Sequence, residues 1–157
     1  MKNKTVAVWL TFFAGPLGLH RLYLKGRMDT LGWLLPWPTL LGSYGVMRAR
    51  EMGVDDTLSW LLIPLLGFTL AGCALTAIVY GLMDIEKWNR LFNPAAAGDA
   101  PAGQTNWGTI IGLATALLLG TTALIATIAF SFQHYFEYKQ EEAAAQAQLE
   151  GVRKSAD

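Results

Sequence analysis

The chain has one cysteine, two histidines and few charges, and each shortage closes off a class of protein. With Cys73 alone, no disulfide can form within the chain, and a cysteine-based zinc or iron–sulfur centre cannot be assembled from one copy. Charged residues make up 15% of the sequence, against roughly 25% in an average soluble domain. Twelve Lys+Arg balance twelve Asp+Glu, so the basic excess on which nucleic-acid binders rely is missing. No Ser/His/Asp grouping, paired carboxylates, His-rich metal spacing or phosphate-cradling glycine loop occurs in a usable context. The chain therefore reads as non-catalytic, with no cofactor or metal. What it has in abundance is apolar surface: 53% of 157 residues are hydrophobic, and the mean hydropathy is +0.32. That balance points to an integral membrane protein.

The charges that exist are unevenly spread. Lys4 and Arg21 are separated by sixteen uncharged residues, Asp29 and Arg48 by eighteen, Asp56 and Asp84 by twenty-seven, and Asp99 and Glu137 by thirty-seven. Crossing a hydrocarbon core of about 30 Å takes about 20 apolar helical residues. The expected fold is all-α, with four membrane-spanning helices at about 5–24, 29–48, 57–83 and 107–133. The third and fourth meet the length requirement outright, and Pro64 should kink the third. The first is short. Lys4 and Arg21 would extend its reach by snorkelling, while Gly15, Pro16 and Gly18 weaken its second half. A cleaved signal peptide is the rival for this segment, but no A-x-A-like site follows it. The second is interrupted by Pro36-Trp37-Pro38. It reads as a kinked span, with a re-entrant hairpin formed together with the first segment as the alternative.

Three regions follow: a helical hairpin over 1–48, a second membrane hairpin over 49–133 with a loop at 84–106, and a hydrophilic tail over 134–157. Trp60, Tyr80 and Trp88 bracket the third span, and Trp107, Tyr135 and Tyr138 bracket the fourth, as rings at the headgroup level do. Four crossings would put both termini on one side, with Lys2, Lys4, Arg48, Arg50 and Lys139. Arg21, Lys25, Arg27, Lys87 and Arg90 would face the other side. That even split sets no orientation.

Residues 15 to 27 read GPLGLHRLYLKGR. A short apolar helix, a Gly-x-x-Gly turn, His-Arg followed by Tyr-Leu and Gly, and then a second apolar helix resemble the TM2 domain. Gly15, Gly18, His20, Arg21, Tyr23, Leu24 and Gly26 carry the match, which covers roughly residues 2–48. The resemblance implies a small integral membrane protein of unassigned biochemical activity, here a bacterial inner-membrane version with an extra hairpin. Leu22 stands where many members have Phe. The acid that members commonly carry in or after the second helix is missing, so its role cannot be transferred. Physically, Arg21, Lys25 and Arg27 form a cationic cluster suited to anionic headgroups, and Arg21 could pair with a phosphate or a helix C-terminal carbonyl.

Gly108, Gly112, Ala116 and Gly120 lie four apart, as do Cys73, Ala77 and Gly81. Small-residue stripes let membrane helices approach closely. They predict that the third and fourth spans pack on each other, with homo-oligomerisation or docking on a larger membrane protein as the alternative. Cys73 then reads as a packing residue. Ala, Glu, Gln and Lys in the tail favour a helix that continues to about Leu149. Two functions remain: a module that binds membrane lipid or a membrane-protein partner, or a homo-oligomeric channel or transporter for a small solute. Nucleic acid is not an expected partner.

Overall fold

The computed structural model describes residues 1–53, 56–96 and 98–156. Its helices are α1 (Lys4–Ala14), α2 (Leu19–Lys25), α3 (Thr30–Leu34), α4 (Pro36–Met52), α5 (Thr57–Leu82), α6 (Ile85–Phe92) and α7 (Trp107–Ala156), with single 3-10 turns at Gly15–Leu17 and Pro101–Gly103. No strand occurs among the described residues.

The starts of these helices are set by short polar side chains. Asn3, Asp29, Asp56 and Asp84 each accept a hydrogen bond from the backbone N–H three residues ahead, and Asn106 does the same for Thr109 at the start of α7. Such N-caps satisfy amide groups that the helix itself cannot. Three of the charges that border the uncharged stretches, Asp29, Asp56 and Asp84, are thus caps.

The first apolar segment is not one helix over 5–24. Pro16 has no N–H to donate, and Gly18 adopts φ +76° while its N–H closes a turn on the Gly15 carbonyl at 2.8 Å. The chain reverses there. Eleven residues of α1 reach about 17 Å, short of a hydrocarbon core. On the way back, the Tyr23 hydroxyl accepts the Asn3 N–H at 2.8 Å, so α2 returns toward the N-terminus. A side chain at Gly18 would lie 2.3 Å from the Gly32 carbonyl oxygen, and glycine there lets α3 cross the turn. The second segment breaks at Leu35, between α3 and α4. Thr39 near the start of α4 donates to the Pro16 carbonyl at 2.8 Å.

Two helices, α5 and α7, are long and apolar enough to cross a membrane, where the charge gaps alone suggested four. α5 has 26 residues, about 39 Å, and runs unbroken through Pro64. It lies antiparallel to α7. Trp60 faces His134, Gly67 faces Thr127, Ala74 faces Gly120 and Gly81 faces Leu113. On their other flank, α4 packs on the first half of α5, through Gly42 on Leu66 and Gly45 on Leu62. α1 packs on its second half, where Gly15 meets Cys73 and Lys4 meets Met83. Val8, Ala74, Ala77 and Ala116 form the centre of the bundle. The outward faces of α5 and α7 are leucine and isoleucine, and only 17% of each helix's most apolar window is buried. The core helix of a soluble protein would be mostly covered, and these two are not.

α7 extends to Ala156, past the expected end near Leu149. Because it is antiparallel to α5, the tail leaves the bundle at the end that holds Asp56 and Arg48. The N-terminus sits at the end that holds Met83. The two termini are therefore at opposite ends of the bundle, not together as four crossings require.

The α4–α5 contact supplies a test. A methyl at Gly42 would fall 2.5 Å from the Leu66 backbone nitrogen, whereas Gly72 faces open space. Gly42→Ala should cost about 1–3 kcal/mol through overpacking. Gly72→Ala should leave thermal unfolding in detergent unchanged or raise its midpoint, since alanine is the better helix former.

Candidate functional site

The end of the bundle around the N-terminus gathers most of the motif residues. It is built from residues 2–4, α2, the 26–29 loop, α6 and the 93–106 segment. α6 lies inside the stretch expected to be a loop over 84–106. Asp84 caps it, and Ile85, Trp88, Asn89 and Phe92 fall on one face at helical spacing. Trp88 is wholly buried against Ala7 and Leu24. Its indole N–H donates to the Lys2 carbonyl at 2.9 Å. Asn93 donates to that same carbonyl at 3.1 Å and accepts the Lys2 N–H. Asn89 donates to the Gly98 and Ala100 carbonyls at 2.8 and 2.9 Å. In this way α6 and the segment after it grip the first residues of the chain.

Lys4 does not snorkel. It is buried, and its Nζ donates to the Met83 carbonyl at 2.7 Å and to Thr105 Oγ1 at 2.8 Å. A cation on the terminal carbonyls of α5 satisfies acceptors that the helix leaves open. Burial, the larger effect, lowers the Lys4 pKa, and the Asp84 carboxylate partly opposes this.

The motif residues divide into turn formers and a charged staple. Gly15 packs against Cys73, Gly18 makes the reversal, and Gly26 ends α2 with φ +69° and its N–H on the Leu22 carbonyl at 2.9 Å. His20 is buried beside the Gly15 turn, and its Nδ1 has no hydrogen-bond partner among the described residues. The Tyr23 ring lies beneath the Lys2 ammonium, 5.4 Å from Nζ to the centroid. Arg21 pairs with Asp29. Lys25 also holds Asp29, at 2.6 Å. The other oxygen of Asp29 caps α3 through the Gly32 N–H at 3.0 Å. One carboxylate therefore ties α2 to α3. The Lys25 ammonium, together with the Gly32 N–H and Arg21, holds the Asp29 carboxyl at a pKa of about 2.

Asp29 is not among the residues that the motif singles out. Its signal in the sequence is an acid four residues after Lys25 and eight after Arg21, immediately before an apolar run.

With Arg21 and Lys25 engaged by Asp29, the exposed cations of this end are Arg27, Lys87 and Arg90. None of these has an acidic partner within ion-pair distance among the described residues. At the other end Arg48 is held by Asp56 through two hydrogen bonds, at 2.7 and 2.9 Å, and Lys139 pairs with Glu142 at 3.1 Å. The Arg48 guanidinium holds the Asp56 carboxyl well below the usual carboxylate range.

The small-residue stripes serve more than one partner. Gly108 abuts Thr5, and Gly112 abuts Val8 and Trp9, so the start of α7 packs on α1. Trp9 donates its indole N–H to the Gly108 carbonyl at 3.1 Å. Further along, Ala116 and Gly120 meet α5 around Ala74 and Ala77. On α5, Gly81 receives Leu113, and Cys73 faces Gly15. Among the described residues no group of three or more His, Cys, Asp and Glu side chains is placed so that it could hold a metal ion.

The staple can be probed by pH. Asn is itself a good N-cap, so Asp29→Asn removes both ion pairs but keeps the start of α3. A carboxyl held near pKa 2, against about 3.9 in an unfolded chain, adds stability above the unfolded value and loses it as pH falls through the folded one. The variant should unfold at a lower temperature than the unmodified protein at neutral pH. The gap should close as the pH drops from about 4 to about 2. A gap that is constant across that range would contradict the staple. No family model, curated protein or solved structure matches this chain.

Proposed function

We propose that this protein is a non-catalytic integral membrane module of the TM2 type that holds a cationic face against anionic lipid headgroups, in a bacterial inner membrane. The supporting observation is the separation of charge between the two ends of the bundle. The N-terminal end carries Lys2, Lys4, Arg21, Lys25, Arg27, Lys87 and Arg90 against Asp29, Asp84, Glu86 and Asp99, while the far end carries Arg48, Arg50 and Lys139 beside the apolar run against Glu51, Asp56, Glu137, Glu141 and Glu142. Juxtamembrane basic residues are drawn to anionic leaflets by about 1 kcal/mol each. The three exposed cations Arg27, Lys87 and Arg90 are therefore enough to favour such a leaflet without a dedicated pocket.

This reading replaces four crossings with three. α3 and α4 together span 23 residues, Thr30 to Met52, about 34 Å, and make the first crossing; α5 and α7 make the others. α1 and α2 form a re-entrant dip whose backbone is covered by protein, as non-helical backbone at membrane depth must be. By the positive-inside rule, the N-terminus and α6 face the cytoplasm and the acidic tail of α7 lies outside.

A second reading, a homo-oligomeric path for a small solute, is favoured by one observation. The reversal at Gly15–Leu17 and the break before Pro36 meet part-way along α5, and such discontinuities line sites in transporters. Flux in liposomes that is lost on altering Pro36 and Pro38 would favour this reading over the first.

Reporter domains fused to each terminus test the orientation. Three crossings predict an N-terminal reporter active only in the cytoplasm and a C-terminal one active only outside. Replacing Arg27, Lys87 and Arg90 together by Glu should lower recovery of phosphatidylglycerol with the detergent-extracted protein and scramble that orientation. Both reporters on one side would restore an even number of crossings.

A further inference from the structure

The far end of the bundle carries a cavity unrelated to the motif residues. It measures about 470 Å³ and opens between the first turn of α5 and the part of α7 where the apolar run ends. Trp60 supplies one wall; His134, Glu137, Tyr138, Lys139 and Glu141 supply the other. His134, Glu137, Tyr138 and Glu141 recur at three- and four-residue spacing, so they share one side of the helix. The walls are fixed by ring packing. His134 stands 4.5 Å from Phe130 and 6.2 Å from Trp60, centroid to centroid.

We infer that this cavity binds an organic ammonium group between the aromatic rings and the two carboxylates. Three observations converge. Trp and Tyr faces attract a cation held within about 6 Å of the ring. Glu141 has no cationic partner within ion-pair distance among the described residues; Glu137 lies 3.5 Å from His134 Nδ1 and accepts a hydrogen bond from the Gln133 side-chain amide at 2.9 Å. The one lysine on the wall, Lys139, places its ammonium on Glu142 at 3.1 Å, so it does not neutralise the two carboxylates that face the cavity. An anionic ligand would meet both of them and is excluded. A neutral apolar ligand would leave both unused.

The cavity lies at the edge of the apolar stretch of α7, which is headgroup depth if the membrane reading above holds, and the inference rests on that reading only for the source of the amine. Two sources carry the same chemistry: an ethanolamine phospholipid headgroup and a free alkylamine. The experiment separates them.

The detergent-solubilised protein is first given equal amounts of phosphatidylethanolamine and phosphatidylglycerol, and native mass spectrometry reads which lipid is retained. Saturation-transfer NMR with butylammonium chloride then probes a free amine without any lipid. Trp60→Ala removes one wall, and Glu141→Gln removes a charge from an exposed helix face and cannot disturb the fold. Preferential retention of phosphatidylethanolamine that falls about fivefold in both variants supports the lipid source. Absence of that preference, with a butylammonium signal that both variants weaken about fivefold, supports the free amine. No amine binding in either arm, or binding that both variants leave unchanged, overturns the inference. Extraction of the protein from membranes by alkaline carbonate would defeat the membrane reading, and the butylammonium arm would still decide the site.

Discussion

The reversal of the chain at Gly18 is the constraint on which the rest of the structure depends. Pro16 withholds an amide and Gly18 takes a left-handed conformation, so α1 stops after about 17 Å. Everything downstream follows from that stop. α2 must travel back toward the N-terminus, which brings Tyr23 to Asn3 and Arg21 to Asp29. α3 can then start beside the turn, because Gly18 leaves room for the Gly32 carbonyl. Had the first segment continued straight, α4 and α1 could not lie end to end on α5, and the two termini would not part.

The polar groups at the basic end are placed by the same fold. Lys4, Lys2 and Trp88 reach backbone acceptors or side chains at a helix end and at the chain start. Such contacts are obligatory where water is scarce, because an unsatisfied buried donor or acceptor costs about 1–3 kcal/mol. Cations that composition alone would leave free for lipid, Lys4, Arg21 and Lys25, are thereby committed to the protein. Arg27, Lys87 and Arg90 remain. In the proposed reading, the lipid-facing cations therefore lie on the loop after the motif and on α6 rather than in the motif itself.

The long apolar runs of α5 and α7 were legible in the sequence, because a charge-free stretch longer than the hydrocarbon thickness is rare outside a membrane. The turn chemistry of Gly15, Pro16 and Gly18 was legible as a weakness, but its consequence was not. Whether a broken helix kinks or reverses depends on what its far side finds to pair with, and the partners Asn3 and Asp29 lie 20 and 8 residues from Tyr23 and Arg21. α6 was hidden because Glu86, Lys87 and Arg90 make its composition loop-like, although Ile85, Trp88, Asn89 and Phe92 carry the helical period. The burial of Trp88 was hidden because a sequence does not distinguish an exposed ring at a helix end from one packed beneath the chain start. The orientation stayed undecided because an even split of basic residues followed from counting four crossings; moving 21–27 to the N-terminal end breaks that tie.

The reversal is tested most directly by a distance. With Cys73 replaced by Ala and nitroxide labels at positions 2 and 27, dipolar EPR reads the separation of those sites in liposomes. A continuous helix through this segment would hold them about 37 Å apart, on opposite faces of the membrane. A chain that reverses at Gly18 predicts strong broadening from a far shorter separation, with both sites at one face. A distance near the extended value would show that the first segment crosses, and would overturn the three-crossing topology together with the charge separation built on it.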